Sequence, residues 1–247
     1  MYRPITDLWK EKSSDVAVLI GAGTAINDIT PAEWLKIGAC DTLAMNNFAY
    51  SPDFIPKWNS LELKHYDKQN MQDTIAGKWE AGWKNVGFIL PKNRAPFMAE
   101  AIGHPTEARI FSYNFISRVT HPRIDPTVVV DADFNADDGN IWKTGDATTS
   151  SMIHLLYLMG YKSIVMYGFQ MTSSYYFWSS GDPKYGKTYC LTNKDHEGKD
   201  PKMPHNAAHM KEYTIDFNRR HMLPKGREIF IGDTDTALHP HLRLWRW

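Results

Sequence analysis

An α/β fold, a mostly parallel sheet flanked by helices in a single domain, is what this sequence predicts, and three observations carry it. Val16, Ala17, Val18, Leu19 and Ile20 form an unbroken apolar run that ends in Gly21-Ala22-Gly23-Thr24. That is the pattern of a strand buried on both faces that delivers the chain to a tight turn. Ser163 to Tyr167 repeats the pattern and ends in Gly168. Elsewhere, apolar runs of strand length alternate with helical segments, as in a chain of β-α units.

Composition bounds what such a domain does. The chain has 247 residues, 43% hydrophobic and 13% aromatic, which supplies the core of one large domain spanning 1–247. Its 28 basic and 28 acidic side chains cancel, so no global field gathers nucleic acid or an anionic membrane. Cys40 and Cys190 are the only cysteines, too few for a disulfide framework or a structural zinc site and suited to a reducing compartment. No apolar run approaches the roughly 20 residues of a membrane span, and residues 1–12 lack a signal-peptide core. A cytoplasmic protein without a membrane span is expected.

After the glycine turn, Thr30-Pro31-Ala32-Glu33 supplies an N-cap, a proline at the first helical position and an acidic first turn. Trp34, Leu35 and Ile37 continue that helix to Gly38. Asp41 to Met45 is the next strand and ends in Asn46-Asn47, amides that serve either a turn or a ligand. Ligands of open α/β sheets bind beyond the carboxyl ends of the strands. Gly21, Ala22, Gly23, Thr24, Asn46 and Asn47 therefore form one candidate nucleotide-binding edge, with the turn amides free to hold an anion. A dinucleotide fingerprint would need a third glycine where the chain has Ile26, so no NAD site is expected.

Ser60 to Tyr66 reads as a third strand with Asp67 just past its end, and Lys84 to Leu90 and Ala108 to Phe115 read as further strands. Asp125 to Asn140 ends in an acidic loop (Asp131, Asp133, Asp137, Asp138) that lacks the glycine and terminal glutamate of an EF-hand. Thr144 to Ser151 is a hydroxyl-rich approach to a helix that runs through Leu158 and stops at Gly160. Its N-terminus, with Thr148 and Thr149, reads as a second preformed anion site. Between Thr172 and Pro204 the composition turns to Ser, Tyr, Gly, Lys, Asp and Pro, interleaved with Tyr175, Tyr176, Phe177, Trp178, Tyr185 and Tyr189. This predicts an aromatic lid inserted in the domain over 172–204, closing over a bound donor. His205 to Leu223 reads as a helix and Arg227 to Ile231 as the last strand. The final Leu242-Arg243-Leu244-Trp245-Arg246-Trp247 is too apolar to hang in water, and is expected to pack on its own domain or on a second subunit of a homo-oligomer.

Five segments in this order carry a family resemblance: Val18 to Ile26, Met45 to Phe48, Leu158 to Gly168, Ser173 to Tyr175 and the histidine-led late helix. Together they resemble the family 42 sialyltransferases and the wider group that includes archaeal hydroxymethylpterin pyrophosphokinases and uncharacterised bacterial and phage proteins. The resemblance implies a Rossmann-like fold and inverting, metal-independent transfer of a sugar from a nucleotide-activated donor, CMP-linked by preference. The acceptor would be a hydroxyl on a glycan, a small metabolite or modified phage nucleic acid. By position, Gly21, Gly23 and Asn46 would meet the nucleotide, and Tyr175, with Tyr176 beside it, the departing phosphate. A late-helix histidine would be the base, a task that suits a neutral imidazole. Counting back from the last strand selects His209, whereas a helix start set by Pro204 selects His205, the favoured choice. The family's asparagine and serine in the glycine turn are Ala22 and Ala25 here, and a second lid tyrosine is Thr172.

Two other readings fit the same chain. One is Mg-requiring pyrophosphoryl transfer from ATP to a small hydroxymethyl compound such as a pterin, for which Asp67, Asp131 and Asp133 would carry the metal. The other is a non-catalytic nucleotide-binding protein. The favoured reading requires no cofactor.

Overall fold

The structure, a computed structural model, describes residues 2–62, 68–93, 95–102, 107–117, 140–143, 148–171, 177 and 207–247. The described strands are β1 (Arg3–Pro4), β2 (Val16–Ile20), β3 (Asp41–Met45), β4 (Trp58–Ser60), β5 (Gly87–Pro91), β6 (Arg109–Ser117), β7 (Asn140–Lys143), β8 (Ser163–Tyr167) and β9 (Glu228–Ile231). The described α-helices are α1 (Pro31–Gly38), α2 (Lys68–Lys78), α3 (Ala95–Ile102), α4 (Thr148–Leu158) and α5 (Ala207–Phe217). The strands form one sheet in the order β1-β6-β5-β4-β3-β2-β8-β9, and β7 runs beside the later half of β6. Every described pairing is parallel.

The predicted α/β class therefore holds, and the central order β4-β3-β2-β8-β9 is that of a doubly wound, Rossmann-like sheet. The chain winds outward from β2 to β6, then crosses to the other flank of β2 and continues as β8 and β9. The switch point lies between β2 and β8.

Side chains alternate across the strands and sort into two layers. Val18, Ile20, Ala44, Phe88, Leu90 and Val165 face Trp34 and Ile37 of α1, Met71 and Ile75 of α2 and Ala99 of α3. Ala17, Leu19, Leu43, Ile89, Ile164 and Met166 face Leu8 of the 3-10 helix Ile5–Glu11, Met152 and Leu155 of α4 and Tyr213 and Phe217 of α5. Helix α1 starts as the sequence predicts, with the Thr30 hydroxyl accepting the Glu33 amide at 3.2 Å. No helix among the described residues is long and apolar enough to cross a membrane.

Three elements depart from the sequence reading. The third strand is Trp58–Ser60 and not Ser60 to Tyr66: the apolar alternation of Leu61 and Leu63 misdirects, because the strand actually buries the polar Asn59 and Ser60 completely. Strand β5 begins at Gly87, after a 3-10 turn at Trp83–Asn85. A β-carbon at Gly87 would lie 2.6 Å from the Trp58 ring, so only glycine lets β5 pass there. Strand β7 starts at Asn140, taken for the last residue of the acidic segment, and continues through Lys143, which the sequence reading left unassigned; Asp131, Asp133, Asp137 and Asp138 lie outside the described residues.

The amino edge of the sheet is held by Asp41, which is 1% exposed. Its Oδ1 accepts the Ser13 hydroxyl and the Lys57 ammonium, both at 2.6 Å. Its Oδ2 accepts the Ser13 amide at 2.8 Å, the Ser14 amide at 3.0 Å and the Tyr161 hydroxyl at 2.7 Å. One carboxylate thus ties β3 to the approaches of β2, β4 and β8. Burial alone would raise its pKa, but Lys57, Ser13 and Tyr161 outweigh that and hold it below the ordinary carboxylate value. The Tyr161 hydroxyl is pushed up in turn, by burial first and by Asp41 second.

The C-terminal segment packs on its own domain, as expected. The Ile231 amide donates to the Arg243 carbonyl at 3.0 Å and the Trp245 amide to the Ile231 carbonyl at 2.8 Å. The Trp245 ring meets Phe230 edge-on at 4.9 Å, and Trp247 Nε1 donates to the Tyr167 hydroxyl at 3.0 Å. Arg243 stacks over Phe230, not over a tryptophan, and pairs with Glu228 at 2.6 Å.

Replacing Asp41 with alanine leaves the half-buried Lys57 ammonium without its carboxylate, and should cost about 3–5 kcal/mol in urea unfolding. Because the folded pKa is lowered, this stabilisation is present above the unfolded value and lost as pH falls through the folded one. The wild-type advantage over Asp41→Asn should therefore be constant above about pH 5 and shrink below about pH 4.

Candidate functional site

At the switch point the β2–β8 ladder continues past both strand ends. The Gly21 amide donates to the Tyr167 carbonyl at 2.8 Å and the Gly23 amide to the Gly168 carbonyl at 2.9 Å. A β-carbon at Gly21 would lie 2.5 Å from the Gly168 oxygen, and one at Gly23 would lie 2.8 Å from that oxygen and 2.0 Å from Gln170 Oε1. Both glycines are there for close backbone approach, since Gly23 has an ordinary extended φ of −71°. This corrects the expectation that these amides are free for an anion: Gly21 and Gly23 spend theirs on β8. Gly168 does need its glycine conformation, at φ 70°, with the Ile26 side chain packed beneath it.

Loops from three strands then converge. Gln170, 5% exposed, donates through Nε2 to the Thr24 hydroxyl and, at 2.9 Å, to Asp235. The Asp233 carboxylate accepts the Gly168 amide at 3.4 Å. Burial pushes Asp233 up to about 6; the charges of Asp235 and Asp28 add to this, and the Gly168 amide opposes it. Phe177, the one described residue of the predicted lid, is docked on the glycine turn. Its amide donates to the Ala22 carbonyl at 2.9 Å, its carbonyl accepts Asn27 Nδ2 at 2.9 Å, and its buried ring meets Phe48 at 5.9 Å.

The second half of the edge lies beyond β3 and β4. Asn46 sits in the left-handed region at φ 49°, which asparagine tolerates better than most residues. Its Oδ1 accepts the Glu62 amide at 2.9 Å and its carbonyl accepts Asn59 Nδ2 at 3.3 Å. The turn role weighed for Asn46 is thus filled, and Asn47 follows half-buried in the 3-10 helix Asn46–Tyr50. Lys78 clamps that helix, donating to the Ala49 carbonyl at 2.6 Å and the Ser51 carbonyl at 2.8 Å. Burial brings its ammonium down to about 8.

Helix α4 runs back between two parallel strands, so its first residues stand at this same edge. Thr148 donates its hydroxyl to the Glu62 carboxylate, and Thr149 is half-buried beside it. The anion site expected at this helix mouth therefore has a carboxylate from the chain itself, in the place where a helix N-terminus favours negative charge by about 0.3–1 kcal/mol. Glu62 bridges Asn46 and Thr148, and sequence reasoning missed it. Its signal was hidden by the misplaced third strand, which put Glu62 inside the strand and Asp67 at its end. Ser60, at the end of β4, and Ser151 of α4 are both 0% exposed, and their hydroxyls have no partner among the described residues. Asn59 Oδ1 is likewise buried and unpartnered among them.

The structure thus brings Gly21, Ala22, Gly23, Thr24 and Gly168 together at the switch point, and Asn46, Asn47, Thr148 and Thr149 at the adjoining strand ends. Asp67, Tyr175, Tyr176 and His205 lie outside the described residues. His209 falls in the first turn of α5, its side chain likewise outside them. Helix α5 leads back to the start of β9, so its first turn lies toward the carboxyl edge. His154 of α4 is fully buried and kept neutral: burial pushes it down to about 3, and His221 adds to this. Comparison with protein-family models, with curated proteins and with solved structures gave no match.

Gly21→Ala should cost about 1–3 kcal/mol in thermal or urea unfolding, because the new methyl meets a backbone oxygen that has nowhere to move. Asp233 should give the opposite pH signature to Asp41. Its folded pKa is raised, so wild-type stability declines as pH rises from the unfolded value to about 6. Asp233→Asn should therefore melt higher than wild type above that pH, with the gain vanishing at acid pH.

Proposed function

We propose that the chain is an inverting glycosyltransferase that moves a sugar from a nucleotide-activated donor, CMP-linked by preference, to an acceptor hydroxyl without a metal ion. One observation carries this reading: three segments of the family resemblance, those that contain Gly23, Asn46 and Gly168, meet on one carboxyl edge beside the switch point. That edge is where open α/β sheets bind nucleotides. The start of α5, which bears His209 and follows His205 in the chain, lies toward the same edge.

In this reading the acceptor oxygen attacks the anomeric carbon while a late-helix histidine, His205 or His209, takes its proton. The bond from that carbon to the donor phosphate oxygen breaks, and its electron pair leaves with the phosphate. Tyr175 and Tyr176 would donate hydrogen bonds to the charge that grows there, which is stabilisation specific to the transition state. The glycine turn contributes shape: its amides are used between the strands, and the close packing holds Ala22 and Thr24 at the mouth.

A second reading has its own observation. Asp28 and Asp235 are close enough to Asp233 at the switch point to add to the cost of its charge, and Mg-assisted pyrophosphoryl transfer from ATP to a small hydroxymethyl compound draws on carboxylates in such a place. A non-catalytic nucleotide binder is the third. Turnover of CMP-sugars and of ATP with a pterin alcohol, each with and without EDTA, separates them. The proposal expects EDTA-resistant transfer; EDTA-sensitive use of ATP would replace it with the kinase, and nucleotide binding without turnover with the binder. Alanine at the true base should lower kcat by about 10²- to 10⁴-fold and leave nucleotide affinity unchanged. If His205→Ala and His209→Ala both keep full activity, the histidine mechanism falls.

A further inference from the structure

A cationic knuckle stands at the amino edge, where the chain enters β9 and at the opposite end of the sheet from the candidate site. From Asn218 to Arg227 the sequence carries Arg219, Arg220, Lys225 and Arg227 and no acidic residue. It folds as a π-helical turn, Asn218–Met222, followed by the 3-10 turn Leu223–Lys225. The Gly226 amide donates to the Leu223 carbonyl and the Arg227 amide to the Met222 carbonyl, both at 3.0 Å, and Gly226 reverses the chain at φ 67°. The reversal brings two cations onto one ring. Lys225 Nζ lies 4.8 Å and Arg227 Cζ 5.6 Å from the centre of the Tyr157 ring, and they donate to the hydroxyl and the carbonyl of that tyrosine respectively. Two long side chains are thereby ordered in folding, so they lose less freedom on meeting a partner. The neighbouring acids are already engaged, Asp216 with Arg219 at 2.7 Å and Glu228 with Arg243 at 2.6 Å. Among the described residues no carboxylate pairs with Arg220, Lys225 or Arg227. At the tip Leu223 is 48% exposed, beside the exposed Pro224 and Lys225.

We propose that the 218–227 knuckle docks on an anionic lipid surface, with Leu223 entering the headgroup boundary and Arg220, Lys225 and Arg227 facing the lipid anions. An exposed leucine set among cations suits that interface, where an apolar side chain meets the acyl boundary and the charges stay with the headgroups. Nucleic acid calls for other features, cations strung along a backbone track and aromatic faces for the bases. Here the cations converge on one ring, and that ring, Tyr157, is only 6% exposed. The formal charge of the whole chain is zero, so the attraction depends on this face alone. Each cation beside an anionic bilayer changes partitioning by about fivefold, which makes a contact through three of them reversible and sensitive to salt. Strand β9 starts at the knuckle and runs parallel to β8 toward the carboxyl edge. Docking therefore leaves that edge facing water. The inference uses no residue of the carboxyl edge and stands independently of the glycosyltransferase reading.

Sedimentation of the full chain with vesicles tests it. Phosphatidylcholine vesicles are compared with vesicles that also contain phosphatidylserine, at low and at raised salt, and duplex DNA is titrated in parallel. Binding to the phosphatidylserine vesicles should be at least about tenfold stronger than to phosphatidylcholine alone, and should weaken as salt rises. Arg220→Glu with Lys225→Glu should lower it by more than about tenfold, and Leu223→Ser by about three- to tenfold. Arg227 stays unchanged in these variants because it also caps α4 through the Tyr157 carbonyl. Leu35→Ser, at a leucine 78% exposed on α1, should have no effect. Should the double reversal fail to fold by circular dichroism, Leu223→Ser and the salt series decide. Equal binding to the two vesicle types, no binding to either, or binding indifferent to both the double reversal and Leu223→Ser overturns the inference. Binding to duplex DNA without binding to vesicles overturns it as well, and assigns the knuckle to nucleic acid.

Discussion

One buried carboxylate sets where the carboxyl edge can be. Asp41 joins the approaches to β2, β4 and β8 to the first residue of β3, so the central strands start from a common line. The register follows from it: Ala17 pairs with Asp41 and Ile164, and Ile20 pairs with Ala44 and Tyr167. Strands β2, β3 and β8 are each five residues long. At about 3.3 Å per residue, strands that start level and run equally far also end level. The glycine turn, Asn46 and Gly168 are neighbours for that reason, and a slip of one residue would turn every core side chain to the wrong layer. The site depends on a knot at the opposite end of the sheet.

The two ends handle buried acids in opposite ways. Asp41 is surrounded by donors, among them a lysine, and stays ionised at a depressed pKa. Asp233 has a long bond from the Gly168 amide and help from the Asp235 amide, but it faces the charges of Asp235 and Asp28, so burial prevails and its pKa rises. Among the described residues, Asp41 at the amino edge is therefore electrostatically satisfied, and Asp233 at the carboxyl edge is not. Unfavourable charge and unpaired polar atoms are tolerated where a fold is built to bind, because structural needs are met elsewhere.

Much of this was legible in the residues. Short apolar runs, unbroken in β2 and opened by polar residues in β3 and β8, marked these strands to the residue, and Thr30-Pro31 marked the start of α1, because burial on both faces and N-terminal capping leave local signatures. What failed to show was anything that depends on a distant neighbour. The glycines of the turn were seen, but their reason was not: Gly21 and Gly23 answer to the Gly168 carbonyl 145 or more residues away in sequence, and no local rule reveals that their amides are already spent. Strand β4 was misplaced since a short central strand that buries Asn59 and Ser60 breaks the apolar pattern by which strands are recognised. Glu62 was lost with it. Asp41 read as an ordinary strand start, although three other chain segments meet on it.

The two halves of the carboxyl edge are not equivalent. At the switch point the protein fills its own crevice: Ile26 packs under Gly168, Gln170 lies on Gly23, and Phe177 covers the turn and reaches Phe48. Gln170 Nε2 is paired there, while Gln170 Oε1 and Asp233 Oδ1 are buried without a partner among the described residues. Beyond β3 and β4 the backbone is as well fixed, by Asn46 on Glu62 and Lys78 on the Asn46–Tyr50 helix, and the hydroxyls of Ser60 and Ser151 are buried without a partner among the described residues. A rigid frame around unsatisfied groups is preorganised: ordering costs are met in folding, so a ligand that pairs with them loses less on binding. The switch point then serves to hold the edge in register, and at the neighbouring strand ends the Glu62 carboxylate, on the Thr148 hydroxyl, occupies the place where a helix N-terminus favours negative charge.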